Sequence, residues 1–373
     1  MMNIVNRISR ISGLVALLMV FLCLPSKHAF GQLGDLGDLF EAGIDEGKED
    51  ARLLFQEYLK PFTNGFGAGI NSGWVDRAKT HGLLGFHVKL NLSAAMVPDI
   101  HRSFDIEELG LARLQILKHG PETPTFSGQS SGAARLGYSL EGLELANFRM
   151  PPGTGIRYIV TPMVQGGVGL PKNTDIMVRF IPPFKFLDYG ELYLYGLGLK
   201  HELNQWLPGG AFLPVTFSVM AGYTSFGTSA GLNARPVDFD ANADLDPDGL
   251  GGPNASTWDN QEIIFSTSAY TVNLIVGKSL PIISVYGGAG FESSTTNVKV
   301  EGDFPYYTPE LHEAEFKRKL NALNDPLDLS FDGANKLRAL AGLRISLPLI
   351  TFNAEYTLSD YSMVTFGLGV SLR

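Results

Sequence analysis

The sequence predicts an all-β fold: an antiparallel transmembrane β-barrel of about 12 strands, within a range of about 10–14, after a short N-terminal helical segment. The clearest evidence is an alternation of apolar and polar residues near the C-terminus. In residues 363–372, Val364, Phe366 and Leu368 alternate with Thr365 and Gly367. A period of two places these sets on opposite faces of a strand. A face of small and polar residues opposite an apolar face suits a wall with lipid outside and water inside.

The N-terminus indicates export. Arg7 and Arg10 precede an apolar run over residues 11–24, and Ala29 and Gly31 stand three and one positions before a cut ahead of Gln32. A run of about 14 residues is short for a membrane-spanning helix, which needs about 20. We therefore predict a signal peptide over residues 1–31 and a final location in the cell outer membrane of a Gram-negative bacterium. A retained anchor is the alternative interpretation.

Charge and cysteine content exclude several classes of function. The chain has 29 Lys and Arg against 38 Asp and Glu. Cleavage would remove three basic residues and leave a formal charge of about −12, which argues against nucleic acid as a partner. Cleavage would also remove Cys23, the only cysteine, so the mature chain would have no disulfide and no cysteine metal site.

Residues 32–75 are predicted to form an amphipathic helical leader or plug. Apolar residues such as Leu36, Phe40 and Ile44 recur at helical spacing among many carboxylates. We expect the helix to end at Pro61 and the glycine-rich stretch 64–73 to be a flexible entry to the first strand. The leader could lie in the barrel mouth as a plug, lie free in the periplasm, or contact a partner.

Residues 76–373 are assigned to the barrel. The predicted strands are 82–97, 101–118, 133–147, 153–168, 174–182, 190–203, 213–226, 262–277, 282–300, 334–347, 350–359 and 363–372. A charged side chain facing lipid costs about 2–4 kcal/mol at the midplane, so charged residues on these strands should face the lumen. The residues predicted to face the lumen are His87, Lys89, Arg157, Arg179, Lys200, Arg338 and Arg344.

An even strand number would leave both chain ends in the periplasm. Tight links at 171–173, 279–281 and 347–349 then become periplasmic turns, and residues 227–261 and 301–333 become extracellular loops. We expect a short helix over 310–323 in the second of these loops. A soluble β-sandwich is the alternative fold, because alternation alone cannot distinguish lipid from a protein core.

One acidic loop could bind a metal ion. Asp244, Asp246 and Asp248 precede Gly249 with the spacing of the first half of a calcium loop, although Ala255 stands where a closing Glu is expected. The hypothesis is a calcium ion bound within residues 238–259, and the alternative is a solvated acidic loop. No other cofactor is predicted.

Two serines, Ser130 and Ser229, lie in G-x-S-x-G patterns at 128–132 and 227–231. Neither pattern follows a buried parallel strand and leads into a helix, which is the context that a nucleophile elbow requires. We therefore predict no enzyme activity. A barrel-embedded hydrolase is kept as a third alternative.

A set of motifs resembles an uncharacterised family of exported proteins of Gram-negative bacteria: N-S-G-W at 71–74, A-K at 78–79, His81 and G-F at 85–86. The resemblance implies a helical leader followed by an outer-membrane-like barrel. It implies no activity, so no functional residues are carried over. At the level of the fold alone, the helical leader before an aromatic-rich barrel is also similar to the long-chain fatty-acid transporter group.

The function predicted from these patterns is a passive channel or transporter for small solutes, including hydrophobic ones. The alternative is a structural or surface-adhesive barrel that binds an external ligand through its long acidic loops. The expected partners are outer-membrane lipid, the barrel-assembly machinery and an unidentified small solute, with no nucleic acid.

Overall fold

The computed structural model describes residues 47–140, 143–186, 190–232, 255–312 and 315–372. Residues 1–46, which include the expected signal peptide, and the acidic loop 233–254 lie outside the described residues. Helix α1 spans Gly47–Asn71. The strands are β1 Phe86–Met96, β2 Ser103–Asp105, β3 Gln115–Lys118, β4 Glu122–Pro124, β5 Arg135–Leu140, β6 Leu143–Arg149, β7 Tyr158–Leu170, β8 Thr174–Phe186, β9 Gly190–Glu202, β10 Thr216–Gly231, β11 Glu262–Ser279, β12 Ile283–Glu301, β13 Asp303–His312, β14 Glu315–Asn324, β15 Leu327–Asp332, β16 Leu337–Ser346, β17 Ile350–Leu358 and β18 Met363–Leu372. Short 3₁₀ helices occupy Asp99–His101, Glu107–Leu109, Asn204–Trp206, Gly210–Phe212 and Ala255–Asp259.

The described strands close into a ring, which confirms the predicted fold class. Ten of them, β1, β7 to β12 and β16 to β18, pair in antiparallel fashion in this order, and β18 pairs with β1. Strand β12 is long enough to have two partners on one side: its first half pairs with β16 and its second half with β15. A closed ring leaves no unpaired edge, which is what a sheet in lipid requires.

Two of the twelve predicted wall strands do not belong to the ring. Residues 101–118 and 133–147 lie in a long excursion between β1 and β7, where they form short strands that pair only with one another. The first segment is interrupted by a 3₁₀ turn that ends at Gly110, which has a φ of +62°. A continuous wall strand cannot pass through such a turn, and the alternation within the segment is therefore local.

The wall separates apolar from polar side chains as predicted. On β1, Leu90 and Leu92 are exposed, whereas Lys89 and Asn91 are 3% and 0% exposed. Lys89 lies opposite Gln165 of β7 and Gly369 of β18, in the register that places polar residues inside. The other strands continue the outer apolar surface with Val178, Leu197, Leu199, Val272, Leu274, Val285, Leu343, Phe352, Phe366, Leu368 and Val370.

The two ends of the barrel differ. At one end, called here the short-turn end, the links are residues 171–173, 203–215, 280–282 and 347–349, and β1 begins and β18 finishes there. At the other, the long-loop end, β10 ends and β11 begins, and the excursion 97–157 and the links 302–336 and 359–362 lie beside them. The described part of the chain thus has the asymmetry of short turns and long loops that is usual for outer-membrane barrels.

Helix α1 lies inside the ring and continues past Pro61 to Asn71, so the predicted helix end at Pro61 is wrong. The glycine-rich part is not a flexible entry either. A Cβ atom at Gly65, Gly67 or Gly69 would collide with side chains of the wall, because the helix backbone lies directly against them. Glycine is needed here for close approach. In the described residues, no helix is both long and apolar enough to cross a membrane.

The excursion 97–157 and the β13–β14 hairpin together form a folded cap at the long-loop end. The start of α1 packs into its apolar core through Leu54 and Phe55, beside Leu136 and Met150.

The helix predicted over 310–323 is wrong, because residues 315–324 form β14, paired with β13. That pairing buries Leu323 in the cap core, and tertiary packing outweighs helix propensity.

Candidate functional site: the filled lumen

The segment from residue 47 to residue 85, called the plug below, occupies the lumen. Every residue from 63 to 78 is buried. Helix α1 fills the half of the lumen near the long-loop end, and residues 72–85 continue to the short-turn end without regular structure. The wall side chains that face the plug are buried as well, and they supply most of its polar contacts.

Two wall arginines satisfy the C-terminal end of α1. The last carbonyl groups of a helix have no partner within the helix and carry partial negative charge. Arg179 donates from Nη1 to the carbonyl oxygen of Ile70 at 2.6 Å and from Nη2 to that of Ser72 at 2.5 Å. Arg338 Nη1 donates to the carbonyl oxygen of Asn71 at 3.2 Å. The arginines therefore bind the end of the helix by charge-assisted hydrogen bonds.

Trp74 is a wedge between the plug and the wall. Its indole ring lies against Gly198 of β9 and Gly222 of β10, where a Cβ atom would come within 2.6 Å of the ring. The guanidinium carbon of Arg179 lies 3.7 Å from the ring centroid, which is a cation–π contact. The adjacent Gly73 has a φ of +72° and its carbonyl oxygen accepts a bond of 2.8 Å from Asn91. The N-S-G-W motif thus anchors the plug to the wall.

Below the wedge, Asp76 of the plug pairs with wall cations. Its Oδ1 lies 3.0 Å from Nη1 of Arg344, and its Oδ2 lies 3.9 Å from Nζ of Lys89. Lys89 and Gln165 also donate to the carbonyl oxygen of Trp74, at 3.3 and 3.0 Å. These contacts hold an irregular backbone whose polar groups would otherwise be buried without partners.

A second charge network lies beside the helix end. Arg338 Nη1 bonds Oε2 of Glu292 at 2.8 Å, and its Nη2 lies 3.9 Å from Oε1 of Glu355. Tyr286 donates to Oε2 of Glu355 at 2.9 Å. Asn335 donates to Oε1 of Glu292 at 2.6 Å. One buried cation therefore compensates two buried carboxylates while also holding the plug.

At the short-turn end, Asp175 connects the plug to Lys200. Its carboxylate accepts the backbone N–H of His81 at 2.9 Å, contacts His81 Nδ1 at 3.1 Å and lies 3.0 Å from Nζ of Lys200. Lys200 also donates to the carbonyl oxygen of Lys79 at 3.1 Å. The His87 ring stacks on that of His81, with centroids 4.7 Å apart.

Six of the seven residues predicted to face the lumen do so, and all six are buried: His87, Lys89, Arg179, Lys200, Arg338 and Arg344. Arg157 does not face the lumen. It precedes β7 at the long-loop end, with 59% of its side chain exposed and Asp99 3.6 Å away. Residues 151–157 belong to no strand, so the alternation of a strand does not decide where the Arg157 side chain points.

The predicted calcium ligands Asp244, Asp246 and Asp248 lie outside the described residues, and the calcium site stays a prediction. Within the described ranges, no group of three or more His, Asp and Glu side chains is arranged to hold a metal ion.

Sequence reasoning did not identify Trp74, Asp76 or Glu292 as lumen contacts. Glu292 and Glu355 lie on inward positions of β12 and β17, so the same alternation that assigns the cations also assigns them. Trp74 had a subtler signal: glycines at inward positions of two neighbouring strands leave space for one large ring.

Outside the wall strands, Tyr361 connects the β17–β18 link to the cap. Its hydroxyl lies 2.9 Å from Nδ1 of His101, and its backbone N–H donates to Asn335 at 2.7 Å. Burial raises the pKa of Tyr361 to about 12. Burial, with a smaller effect of Lys60, lowers the pKa of His101. Both side chains are therefore held neutral near pH 7, and the contact is a neutral hydrogen bond.

Replacing Gly222 by Val should displace the Trp74 ring. The added atoms would overlap the indole, and overpacking of this kind costs about 1–3 kcal/mol. We expect the purified variant in detergent to have a lower thermal midpoint. The midpoint is measured from the gel mobility of heated and unheated samples. Gly166→Val is the matched control, because a Cβ atom at Gly166 meets only the His87 carbonyl oxygen, at 3.8 Å. Equal midpoints for the two variants would contradict the wedge.

Comparison with known proteins places the sequence in a family. A model described as a family of unknown function, DUF6588, matches residues 9–372. This result confirms the resemblance to an uncharacterised family. No curated protein matches. The expected likeness to the long-chain fatty-acid transporter group stays a prediction.

Several solved structures are similar in part. Ail, the attachment invasion locus protein of Yersinia pestis, is 10% identical with a TM-score of 0.23, covering 78% of this chain and 99% of Ail. The translocator domain of the autotransporter NalP from Neisseria meningitidis is 12% identical with a TM-score of 0.26, covering 79% and 90%. The outer membrane protease OmpT of Escherichia coli is 9% identical with a TM-score of 0.22, covering 77% and 94%. Similarity at this level says nothing about activity.

Proposed function

We propose that this chain, which belongs to DUF6588, a family of unknown function, forms a closed outer-membrane barrel. The barrel presents its cap to an external ligand at the cell surface. The observation that carries this proposal is the continuous burial of residues 63–78 inside the ring. The buried cations of the wall bind the plug.

The cap supports the same proposal. Its apolar core, which it shares with α1, β12 and β15, buries Leu136 and Met150 completely. Asp50 at the start of α1 accepts the backbone N–H groups of Ala112, Arg113 and Leu114 at 2.8 to 2.9 Å, which fixes the cap to the plug. A folded surface on a rigid barrel is a suitable position for binding residues.

Two measurements test the proposal. In planar bilayers the intact protein should give no conductance above the bare membrane. Cells that display it should bind at least one of a panel of immobilised glycans, matrix proteins and lipopolysaccharides. Removal of residues 306–321, with an Asn-Gly turn joining Pro305 to Ala322, should abolish that binding, because it removes the tip of the β13–β14 hairpin. Steady conductance of the intact protein, with no binding above that of empty cells, would contradict the proposal.

A second candidate is transport through a lumen that opens when the plug moves. One observation favours it: beside the apolar contacts of Trp74, Val75 and Ala78, residues 72–81 are held by ion pairs and hydrogen bonds, such as Asp76 with Arg344. A polar interface can separate into water at lower cost than an apolar one. Reversible openings of the intact protein in the same bilayer recordings would select this function.

We also propose that the protein is not an enzyme and that it needs no cofactor other than the calcium ion in loop 238–259. Labelling by an activity-based serine probe would contradict the first. For the calcium site, titration of a synthetic peptide of residues 238–259 should show binding below about 1 mM, and no binding in that range would remove the site.

A further inference from the structure

The direction of the chain through the lumen has a consequence for the location of the N-terminus. The beginning of α1 lies at the long-loop end. Phe126 donates its backbone N–H to the carbonyl oxygen of Tyr58 at 2.9 Å, and the Tyr58 hydroxyl donates to that of Pro152 at 3.1 Å. Both partners belong to the cap, so the first turns of the helix are packed into it.

The other end of the plug lies at the short-turn end. The backbone N–H of Leu84 donates to the carbonyl oxygen of Gly169 at 2.9 Å, next to the β7–β8 turn. Phe86 then begins β1 opposite Leu372, the final residue of β18. The chain therefore runs through the whole barrel from the long-loop end to the short-turn end before it enters the wall.

A chain that enters the wall from the periplasm would need no such passage. The ring is closed by the β1–β18 pairing, so the plug cannot have entered from the side after closure. Residues 33–46 contain five carboxylates, Asp35, Asp38, Glu41, Asp45 and Glu46. Such a segment does not cross hydrocarbon readily. The remaining path for the chain before Gly47 is the lumen itself, which is wide enough to hold a helix about 10–12 Å in diameter.

We infer that this barrel carries its own N-terminal segment outward through the lumen, and that the chain preceding Gly47 ends on the long-loop side, at the cell surface. The transported species is a polypeptide, part of the same chain. Because the finished lumen is filled, the passage ends when the plug reaches its final position in the lumen. The expectation that both chain ends lie in the periplasm is accordingly replaced: the C-terminal end lies there and the N-terminal end does not. The inference rests on the proposed function in one respect, namely that the long-loop end faces outward.

The test uses one tag at three positions in the full chain. The tag carries a single cysteine between flexible Gly/Ser linkers, and the natural Cys23 lies in the expected signal peptide. It is inserted after Leu36, after Gly110 in the cap, or after Gly209 at the short-turn end; both glycines are exposed. Intact cells are treated with a membrane-impermeant maleimide, with and without permeabilisation of the outer membrane.

We expect the tags after Leu36 and Gly110 to react on intact cells, and the tag after Gly209 to react only after permeabilisation. If the Gly110 tag reacts on intact cells and the Leu36 tag does not, the inference is wrong and the proposed function stands. If only the Gly209 tag reacts on intact cells, the barrel orientation is wrong and both proposals fall.

Discussion

Removal of residues 47–80 is expected to convert the closed barrel into an anion-selective pore. The deletion takes away α1 and the irregular segment below it while keeping all ten described wall strands. The buried charged residues of the wall are then five cations, Lys89, Arg179, Lys200, Arg338 and Arg344, against three carboxylates, Asp175, Glu292 and Glu355. A lumen with two excess positive charges concentrates anions. Single-channel recording with a potassium chloride gradient measures both the conductance and the sign of the reversal potential.

The matched control is the protein without residues 306–321, which loses part of the cap and keeps the plug. It should remain closed. A plug deletion that folds as a barrel, as judged by its heat-modifiable gel mobility, and yet conducts no better than the intact protein would show that wall side chains alone close the lumen. A cation-selective pore would show that the wall charges are not those that the structure places there.

Replacement of Arg338 by Met should cause the largest loss of stability of any single substitution in the lumen. Arg338 has 2% of its side chain exposed, and Glu292 has 1%. The substitution leaves Glu292 and Glu355 without their cation and the Asn71 carbonyl oxygen without its donor. Breaking a buried ion pair by removing one partner costs about 3–5 kcal/mol. Urea unfolding of the protein in detergent measures this free energy.

The double variant Glu292→Gln with Arg338→Met separates the charge effect from lost packing. Gln removes the uncompensated carboxylate, so the double variant should be more stable than Arg338→Met alone, with a coupling energy of about 0.5–3 kcal/mol. Purely additive losses would mean that Arg338 acts on the plug and not on Glu292.

The inward positions could be predicted from the sequence because alternation is a local property of each strand. Lys89, Arg179 and Arg344 each stand between apolar neighbours, and the cost of a charge in lipid fixes which face is outward. What they contact could not be predicted in this way. Lys89 and Arg179 bind backbone carbonyl groups of the plug, and a carbonyl group is common to every residue. Arg344 binds the carboxylate of Asp76, which lies in a segment without regular structure.

The plug was only partly predictable. The apolar spacing of residues 51–59 indicated a helix, but Pro61 and the glycines after it indicated its end. Their role depends on tertiary structure: the lumen wall supplies the packing that offsets the weak helix propensity of glycine. The extra strands predicted over 101–118 and 133–147 failed for a related reason, since local alternation does not reveal which sheet a strand joins.

The accessibility of a buried wall residue tests most directly whether the plug fills the lumen. Ser93 of β1 is 0% exposed, and its hydroxyl lies 2.9 Å from that of Thr365, its partner on the neighbouring strand β18. Ser93→Cys should resist a small, water-soluble thiol reagent in the intact purified protein and react readily once residues 47–80 are deleted. Equally fast reaction in both proteins would show that water already fills the lumen of the intact barrel, and the account would be wrong.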